Sequence, residues 1–415
     1  MNQDRVESLA QFHPFTRLNK LLEGVLPGGG NTPLLLSLGE PQFQPPAFAI
    51  EAIANAKDAW SKYPPTAGTE AFRVAAKAWL GRRYHLEDKL IDADRMILPV
   101  SGTREALFHV ALSAVSRGLP NGKGRVLMGN PFYHTYAGAA VVAGGEPAFL
   151  PAGPETGFLP DPDAVPAELL REAALVYLCS PANPQGAVAD REFWRRWLAL
   201  ARSHDFVIAA DECYAEIYSD AAPVGALEAA QESGSCDNLL VFHSLSKRSS
   251  APGMRSGFVA GDARHVARIA QLINYGGVAV PLPVLAASTA LWSDEAHVAV
   301  NRARYQASFD LADKHLGPIF GAVRPAGGFF LWLDVGDGEA AASALWREAA
   351  IKVLPGGYMG RPDASGNNPG AAFIRVALVY EPALLDGALA RMAGVLGPII
   401  QARRAAGRTA AAGRR

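Results

Sequence analysis

The run VFHSLSKRSSAPGMRSGF holds Lys247 between Ser244-Leu245-Ser246 and, eight residues on, Arg255. An apolar stretch, LLVFHSL, delivers the lysine, and a Pro-Gly turn precedes the arginine. A free ammonium at the mouth of a buried strand is costly, so such a lysine makes sense as an amine held for covalent chemistry. Ser244, Ser246 and Arg255 would bind an anion beside it. That combination suggests a lysine that forms a Schiff base with pyridoxal 5'-phosphate (PLP). On the lysine alone, a surface residue after an edge strand is the better reading. The other polar residues at strand ends reverse it.

Asp211 ends FVIAAD, and a carboxylate at a buried strand end needs a donor or cationic partner. Opposite a pyridine nitrogen it would keep that nitrogen protonated, which makes the ring an electron sink. A cap on a following helix is the competing reading. Tyr214, three residues on, would share that side if a helix follows, and its hydroxyl suits a phenolic oxygen. The alternative is a core tyrosine. Asn183 in CSPANPQG offers an amide donor to the same oxygen, although Asn-Pro-x-Gly is also an ordinary turn. Whether Asn183-Pro184 is cis stays open. Ser101-Gly102-Thr103 opens a helical pattern after RMILPV, where free backbone N–H groups favour phosphate or a simple N-cap. Tyr133, in PFY after RVLMGN, could stack on a flat ring. Tyr63 lies in the loop SKYPPTAG. Arg375 interrupts the apolar run FIRVALV and needs an anion there, either a substrate carboxylate or a structural partner.

The elements that must position these residues are short apolar runs alternating with amphipathic stretches. RMILPV, RVLMGN, ALVYLCS, FVIAAD, LLVFHSL and GFVAGD lack polar alternation, as strands buried on both faces do. Between them lie REALFHVALSAV, HTYAGAAVVAGG and DREFWRRWLALARSH. The alternation predicts an α/β fold, a large domain with a mostly parallel sheet flanked by helices. After about residue 282 a long helical stretch leads to GGFFLWLDV and AAFIRVALV, which suggests a smaller α+β domain. The expected division is an N-terminal segment 1–45 packing with the small domain or a partner, a large domain 46–285, a small domain 286–400, and a flexible basic tail 401–415.

A chain of 415 residues suggests about two domains. The formal net charge of −1 gives no bulk attraction to nucleic acid. Cys179, Cys213 and Cys236 make no paired framework and fit buried thiols in a reducing compartment. No secretory pattern opens MNQDRVESLAQFHPF, and no stretch of about twenty apolar residues is expected to span a membrane, so a cytoplasmic location is expected. Gly28-Gly29-Gly30 lacks the spacing of a dinucleotide fingerprint and reads as a turn. The histidines show no metal-ligand spacing.

Taken in order, LSLGEPQF, KYPPTAGTEAFR, SGTREA, NPFYHTY, SPANPQG, ADECY, SLSKRSSAPGMRSG, GGFF, LPGGYMG and FIRVAL resemble the fold-type I, class I/II PLP-dependent aminotransferases over nearly the whole chain. The resemblance implies the aspartate aminotransferase-like fold. It implies that Lys247 is the Schiff-base lysine, Asp211 the pyridine partner, and Tyr214 and Asn183 the phenolate partners. Ser101, Gly102, Thr103, Ser244, Ser246 and Arg255 match the phosphate cup, and Tyr133 the stacking aromatic. Tyr63 matches a tyrosine that reaches the neighbouring subunit's phosphate, which implies a homodimer with shared sites. Arg375 matches the α-carboxylate clamp and Gly39 the glycine lining the substrate side. Ser256 departs from the pattern, which usually has a small apolar residue there.

Within the family, KRSSAPGMRSGFVAGD, VAVPLPVLAAS, HPFTRL and SLGEPQ look like the proteobacterial N-succinyldiaminopimelate aminotransferases of lysine biosynthesis. Glutamate and 2-oxoglutarate would be the amino donor and its product. Arg17 and Lys20 are candidates for the substrate's distal carboxylate, against a solvated helix face. The rivals are N-acetylornithine, aromatic or alanine transamination, and β-elimination of the cystathionine type. A PLP-binding regulator would need a DNA-binding domain for which residues before 40 leave no room, and a plain binding protein would not need Lys247.

Overall fold

The computed structural model describes residues 13–28, 30–115 and 123–412, with side chains to residue 406. Seven strands form the main sheet: β2 (Ile97–Val100), β3 (Arg125–Asn130), β4 (Glu146–Pro151), β5 (Ala173–Cys179), β6 (Val207–Asp211), β7 (Leu239–Ser244) and β8 (Gly257–Gly261). Their order is β2-β8-β7-β6-β5-β3-β4. All neighbours are parallel except β8, which runs antiparallel to β2 and β7. Every residue of β6, β7 and β8 is buried, which explains their unbroken apolar runs.

The flanking helices form where caps and apolar spacing coincide. Arg191–His204 starts on Asp190, whose side chain accepts from Phe193 N at 2.7 Å. It buries Trp194, Trp197, Leu198 and Ala201, a single stripe at helical spacing, and ends where Asp205 turns left-handed (φ 53°). Burying side chains of this size contributes roughly 1.5–3 kcal/mol each. A framework built this way can carry polar residues at its strand ends.

The second core surrounds β9 (Phe330–Asp334), β11 (Leu354–Pro355) and β12 (Phe373–Ala377), in the antiparallel order β11-β12-β9. The short β1 (Leu34–Leu35) pairs in parallel with β10 (Ile351–Lys352). The N-terminal helix Pro14–Leu21 packs Leu18 against Leu354, Tyr358 and Met359 on the small domain. Residues 1–12 of the expected N-terminal segment lie outside the described residues, as does Gly29 of the glycine run. Gly28 itself meets the end of helix Gly338–Ala349, where its N–H donates to Trp346 O at 3.2 Å and a Cβ would fall 1.6 Å from Arg347 O.

Three expectations change. The long helical stretch after residue 282 is two helices, and the first, Leu282–Ser293, packs on Ala47–Asn55 and Glu70–Tyr84 of the large domain. The break therefore falls at Asp294, not at 285. The expected tail from 401 begins as helix, because Pro382–Ala412 is continuous, Arg403 pairs with Asp334 and Arg404 donates to Ile319 O at 2.8 Å. Residues 413–415 lie outside the described residues. That same helix contains, at Pro382–Ala406, a segment long and apolar enough by composition to cross a membrane, contrary to the sequence reading. Its Leu385, Leu389, Met392 and Leu396 fill the small domain's core, which accounts for its apolar face. Of the three cysteines, Cys236 is buried, while Cys179 and Cys213 are half-buried.

Candidate active site

Parallel strands place their carboxyl ends on one edge, so Asn130, Cys179, Asp211 and Ser244 all end there. The antiparallel β8 adds its amino end. Val100 and Ser244 both pair with Gly257, so the segments after β2, before β8 and after β7 meet. Thr103, Arg255 and Lys247 are brought together in this way.

They open onto a cavity of about 630 Å³ between the two cores. Lys247, Asp211, Tyr214, Asn183, Tyr133, Thr103, Ser244, Ser246, Arg255, Gly39 and Arg375 all line it. Lys247 lies in the one-turn helix Leu245–Arg248, which Ser244 caps by accepting from Ser246 N at 3.1 Å. Its Nζ donates to Gly39 O. Burial pushes this amine down to about 8, against an ordinary value of 10.5, and Arg375 and Arg255 add to the effect. The amine therefore loses its proton near pH 8. Acetylation of Lys247 in the cofactor-free chain, followed by mass spectrometry, is expected to accelerate with pH up to about 8 and then level off. A rate still climbing toward the ordinary lysine value would remove this perturbation.

Asp211 lines the same cavity. Its Oδ2 accepts from Tyr136 Oη at 2.6 Å and its Oδ1 from Cys213 N at 3.3 Å. Burial raises its pKa, while the bonds from Cys213 and Tyr136 and the charge of Lys247 oppose that rise. Tyr136 is stacked on Tyr177, with centroids 4.4 Å apart. The sequence reading missed Tyr136, because an aromatic among the small residues of helix Thr135–Val142 reads as core. Tyr133 meets Tyr136 edge-on at 5.5 Å. Tyr214 follows Asp211 on a turn rather than a helix, and packs edge-on against Phe329 and Phe330.

The anion cup is built around Gly102 at φ +94°, where a Cβ would fall 2.1 Å from Arg255 Nη2. Only glycine lets the guanidinium come this close to the start of helix Thr103–Ala114. Arg255 is partnered by Glu105 Oε2 at 2.9 Å and Pro252 O at 2.9 Å. The Thr103 hydroxyl contacts Cys213 Sγ at 3.0 Å. Ser101 does not join the cup, because its hydroxyl donates to Val278 O and only its backbone carbonyl faces Arg255.

Arg375 is 4% exposed. It donates to Asn183 Oδ1 at 2.9 Å and Ser37 O at 2.7 Å, and lies over the Phe330 ring at 4.1 Å. Its Nε is buried without a hydrogen-bond partner among the described residues. Burial lowers its pKa to about 10. A buried arginine held by neutral groups alone suits an incoming carboxylate. Gly39 leaves room for Phe330, since a Cβ would fall 2.5 Å from its ring. Asn183-Pro184 is cis. Ser256 is buried and shares a 2.7 Å hydrogen bond with Ser288.

Three sequence candidates stand elsewhere. Tyr63 is fully exposed and does not line the cavity. Arg17 lies over the Tyr358 ring at 3.9 Å, 3.7 Å from Glu339, and Lys20 is exposed on the same helix. Neither of these two cations lines the cavity. In their place the structure brings His13, Arg104 and His134 to it.

The residues fit PLP. A glycine-opened cup with Thr103, Ser244, Ser246 and Arg255 can hold a phosphate, and a desolvated lysine amine and a buried carboxylate line the same cavity. Fold and site together define a PLP-dependent enzyme acting on amino acids. The family model "Aminotransferase class I and II" matches residues 31–392. The chain belongs to this family of PLP-dependent aminotransferases. It is 31% identical over 379 residues to the LL-diaminopimelate aminotransferase of Syntrophobacter fumaroxidans, covering 89% of this chain and 93% of the relative. It is 35% identical to the 4-dedimethylamino-4-oxo-anhydrotetracycline transaminase of Streptomyces rimosus, covering 86% and 92%. Among solved structures it is similar to an aminotransferase from Neisseria meningitidis, with 40% identity, TM-score 0.87, and coverage of 92% of this chain and 97% of that one.

Proposed function

We propose that this aminotransferase transfers the amino group of glutamate to N-succinyl-2-amino-6-oxopimelate, giving N-succinyl-LL-2,6-diaminopimelate and 2-oxoglutarate, and runs reversibly. The observation that carries this reading is an arginine in the cavity besides the phosphate cup and the α-carboxylate clamp. Arg104 lines it along with Arg255 and Arg375, and the acids among the described lining residues are Glu40 and Asp211. A substrate with carboxylates at both ends matches such a wall. Relatives at about 30% identity named LL-diaminopimelate aminotransferase support the diaminopimelate skeleton. Their names also favour a second reading, unmodified LL-diaminopimelate, whose distal ammonium would face Arg104.

When bound, PLP supplies an electron sink for the charge left at the substrate Cα and carries the amino group between half-reactions. Lys247 Nζ is the covalent anchor and then the base that removes and returns the proton at Cα. Asp211 would keep the pyridine nitrogen protonated, Asn183 and Tyr214 would hold the phenolic oxygen, and Tyr133 would cover the ring. Thr103, Ser244, Ser246 and Arg255 bind the phosphate, with Gly102 opening the cup. Arg375 clamps the α-carboxylate. Tyr63 is fully exposed on its loop, and in a homodimer it would reach the phosphate bound by the second copy. No step requires nucleic acid or a membrane.

The test is a half-reaction. The holoenzyme is mixed separately with N-succinyl-LL-diaminopimelate, LL-diaminopimelate and N-acetylornithine, and loss of the cofactor's visible absorbance is followed. The succinylated substrate is expected to react fastest. A faster reaction with LL-diaminopimelate would replace it by the second reading. Release of pyruvate from cystathionine without a keto acid would make the enzyme a lyase.

A further inference from the structure

The turn that carries Lys247 is fastened to the start of one helix of the small domain. Lys247 lies in the one-turn helix Leu245–Arg248, and the last carbonyls of so short a helix find no partners within it. Asn301, near the start of helix Ala296–Phe320, takes two of them. Its Nδ2 donates to Lys247 O at 2.9 Å and to Arg248 O at 3.1 Å, and its Oδ1 accepts from Ser250 Oγ at 2.9 Å. We propose that Asn301 is a positioning residue for the transamination, fixing the backbone from which the Lys247 amine reaches its proton-transfer position. This rests on Lys247 as the reacting amine and not on the choice of substrate.

The contacts call for this side chain. Two carbonyls need two N–H donors on one atom, and the Ser250 hydroxyl needs an acceptor beside it. An asparagine amide supplies that set and keeps no N–H in reserve, whereas a carboxylate would set negative charge against both carbonyls. Asn301 is 5% exposed, so these bonds work away from competing water. Ser250 holds the left-handed backbone at φ +49°, which is uncommon for a serine, and its bond to Asn301 offsets that strain. The residues between are anchored to the same place. Buried Arg248 donates to Leu291 O at 2.7 Å and Asp294 O at 3.1 Å, and pairs with Glu295 at 2.8 Å. Ser249 Oγ lies 2.9 Å from His297 Nε2, and His297 Nδ1 lies 2.6 Å from Asp294 Oδ1. Those contacts hold the side chains of Arg248 and Ser249, whereas Asn301 reaches the backbone of Lys247 itself. Farther along the same helix, Tyr305, Phe309, Ala312 and Leu316 are built into the small domain's core. One helix therefore ties the lysine turn of the large domain to the domain that carries Arg375.

The experiment pairs single turnover of the holoenzyme with glutamate and acetylation of Lys247 in the cofactor-free full chain. Asn301→Ala is expected to slow the single-turnover rate constant about tenfold, the scale of a slightly misplaced reacting group. The glutamate concentration that gives half the maximal rate should stay within about twofold, because Arg375 is untouched. The pH at which acetylation levels off should rise by about one unit as the amine gains access to water. The groups that face it, Arg255, Arg375, Glu40, Asp211 and Cys213, are unchanged. Ser249→Ala deletes a buried hydrogen bond of the same turn without freeing the Lys247 carbonyl, so it should lower the melting temperature and leave both readouts at wild type. Ser250→Gly keeps the left-handed backbone without strain and removes the bond to Asn301 Oδ1, so it should slow turnover about threefold. Wild-type readouts in a folded Asn301→Ala overturn the proposal, and so do wild-type readouts in Ser250→Gly where Asn301→Ala does not fold. A Ser249→Ala loss equal to that of Asn301→Ala overturns it as well. A wild type that does not react with glutamate would defeat the donor assigned above, and the acetylation profiles would then judge Asn301 alone.

Discussion

Lys247→Ala is expected to slow the single-turnover reaction with glutamate by about 10⁴-fold or more, since it removes the covalent anchor and the proton-transferring base together. The folded chain should survive the change. The amine is desolvated, and its main protein contact is Gly39 O. Removing a buried cation relieves a cost rather than adding one. Thermal melting of the cofactor-free variant should therefore match or exceed the wild type. The cup around Gly102 and Arg255 is untouched, so some PLP should still be retained through its phosphate. Stopped-flow absorbance with glutamate decides the matter. A near-normal rate in a well-folded variant would remove Lys247 from the chemistry.

Asp211→Ala should cost roughly 10²-fold in the same step, because one charge-assisted bond is worth about 1.5–3 kcal/mol and acts where charge develops. This change also has a structural consequence. Tyr136 Oη, buried and 2.6 Å from Asp211 Oδ2, would lose its acceptor, which costs about 1–3 kcal/mol of stability. The double change Asp211→Ala/Tyr136→Phe removes both partners, so it should recover stability without recovering rate. Chemical denaturation read beside the single-turnover rate separates the two effects. If Asp211→Ala leaves the proton-transfer rate unchanged, Asp211 has no part in it.

Much of this was readable before any coordinates. Apolar runs without alternation marked strands buried on both faces, and β5, β6 and β7 are buried in that way. The polar residues that interrupted or ended such runs, Asp211, Lys247 and Arg375, now line one cavity. They stood out because a charge among apolar neighbours is expensive and demands a partner. Tyr136 did not stand out. An aromatic on a small-residue helix reads as core, and only its contact with Asp211 shows otherwise. Ser101 misled in the opposite sense, because a serine before a helix looks like a phosphate donor until Val278 O is seen to take its hydroxyl.

The sequence by itself determined which groups had to be neutralised and which segments had to be buried. Both follow from local composition and from the transfer cost of each side chain. Only the tertiary structure decided what meets what. The antiparallel β8 puts Arg255 beside Gly102, 153 positions away in the chain, through a register pairing that no local pattern encodes. It also moved the distal cations. Arg17 is drawn onto Tyr358 and Glu339, while Arg104 lines the cavity. A side chain's charge is a property of its own residue, but its direction is set by neighbours remote in sequence.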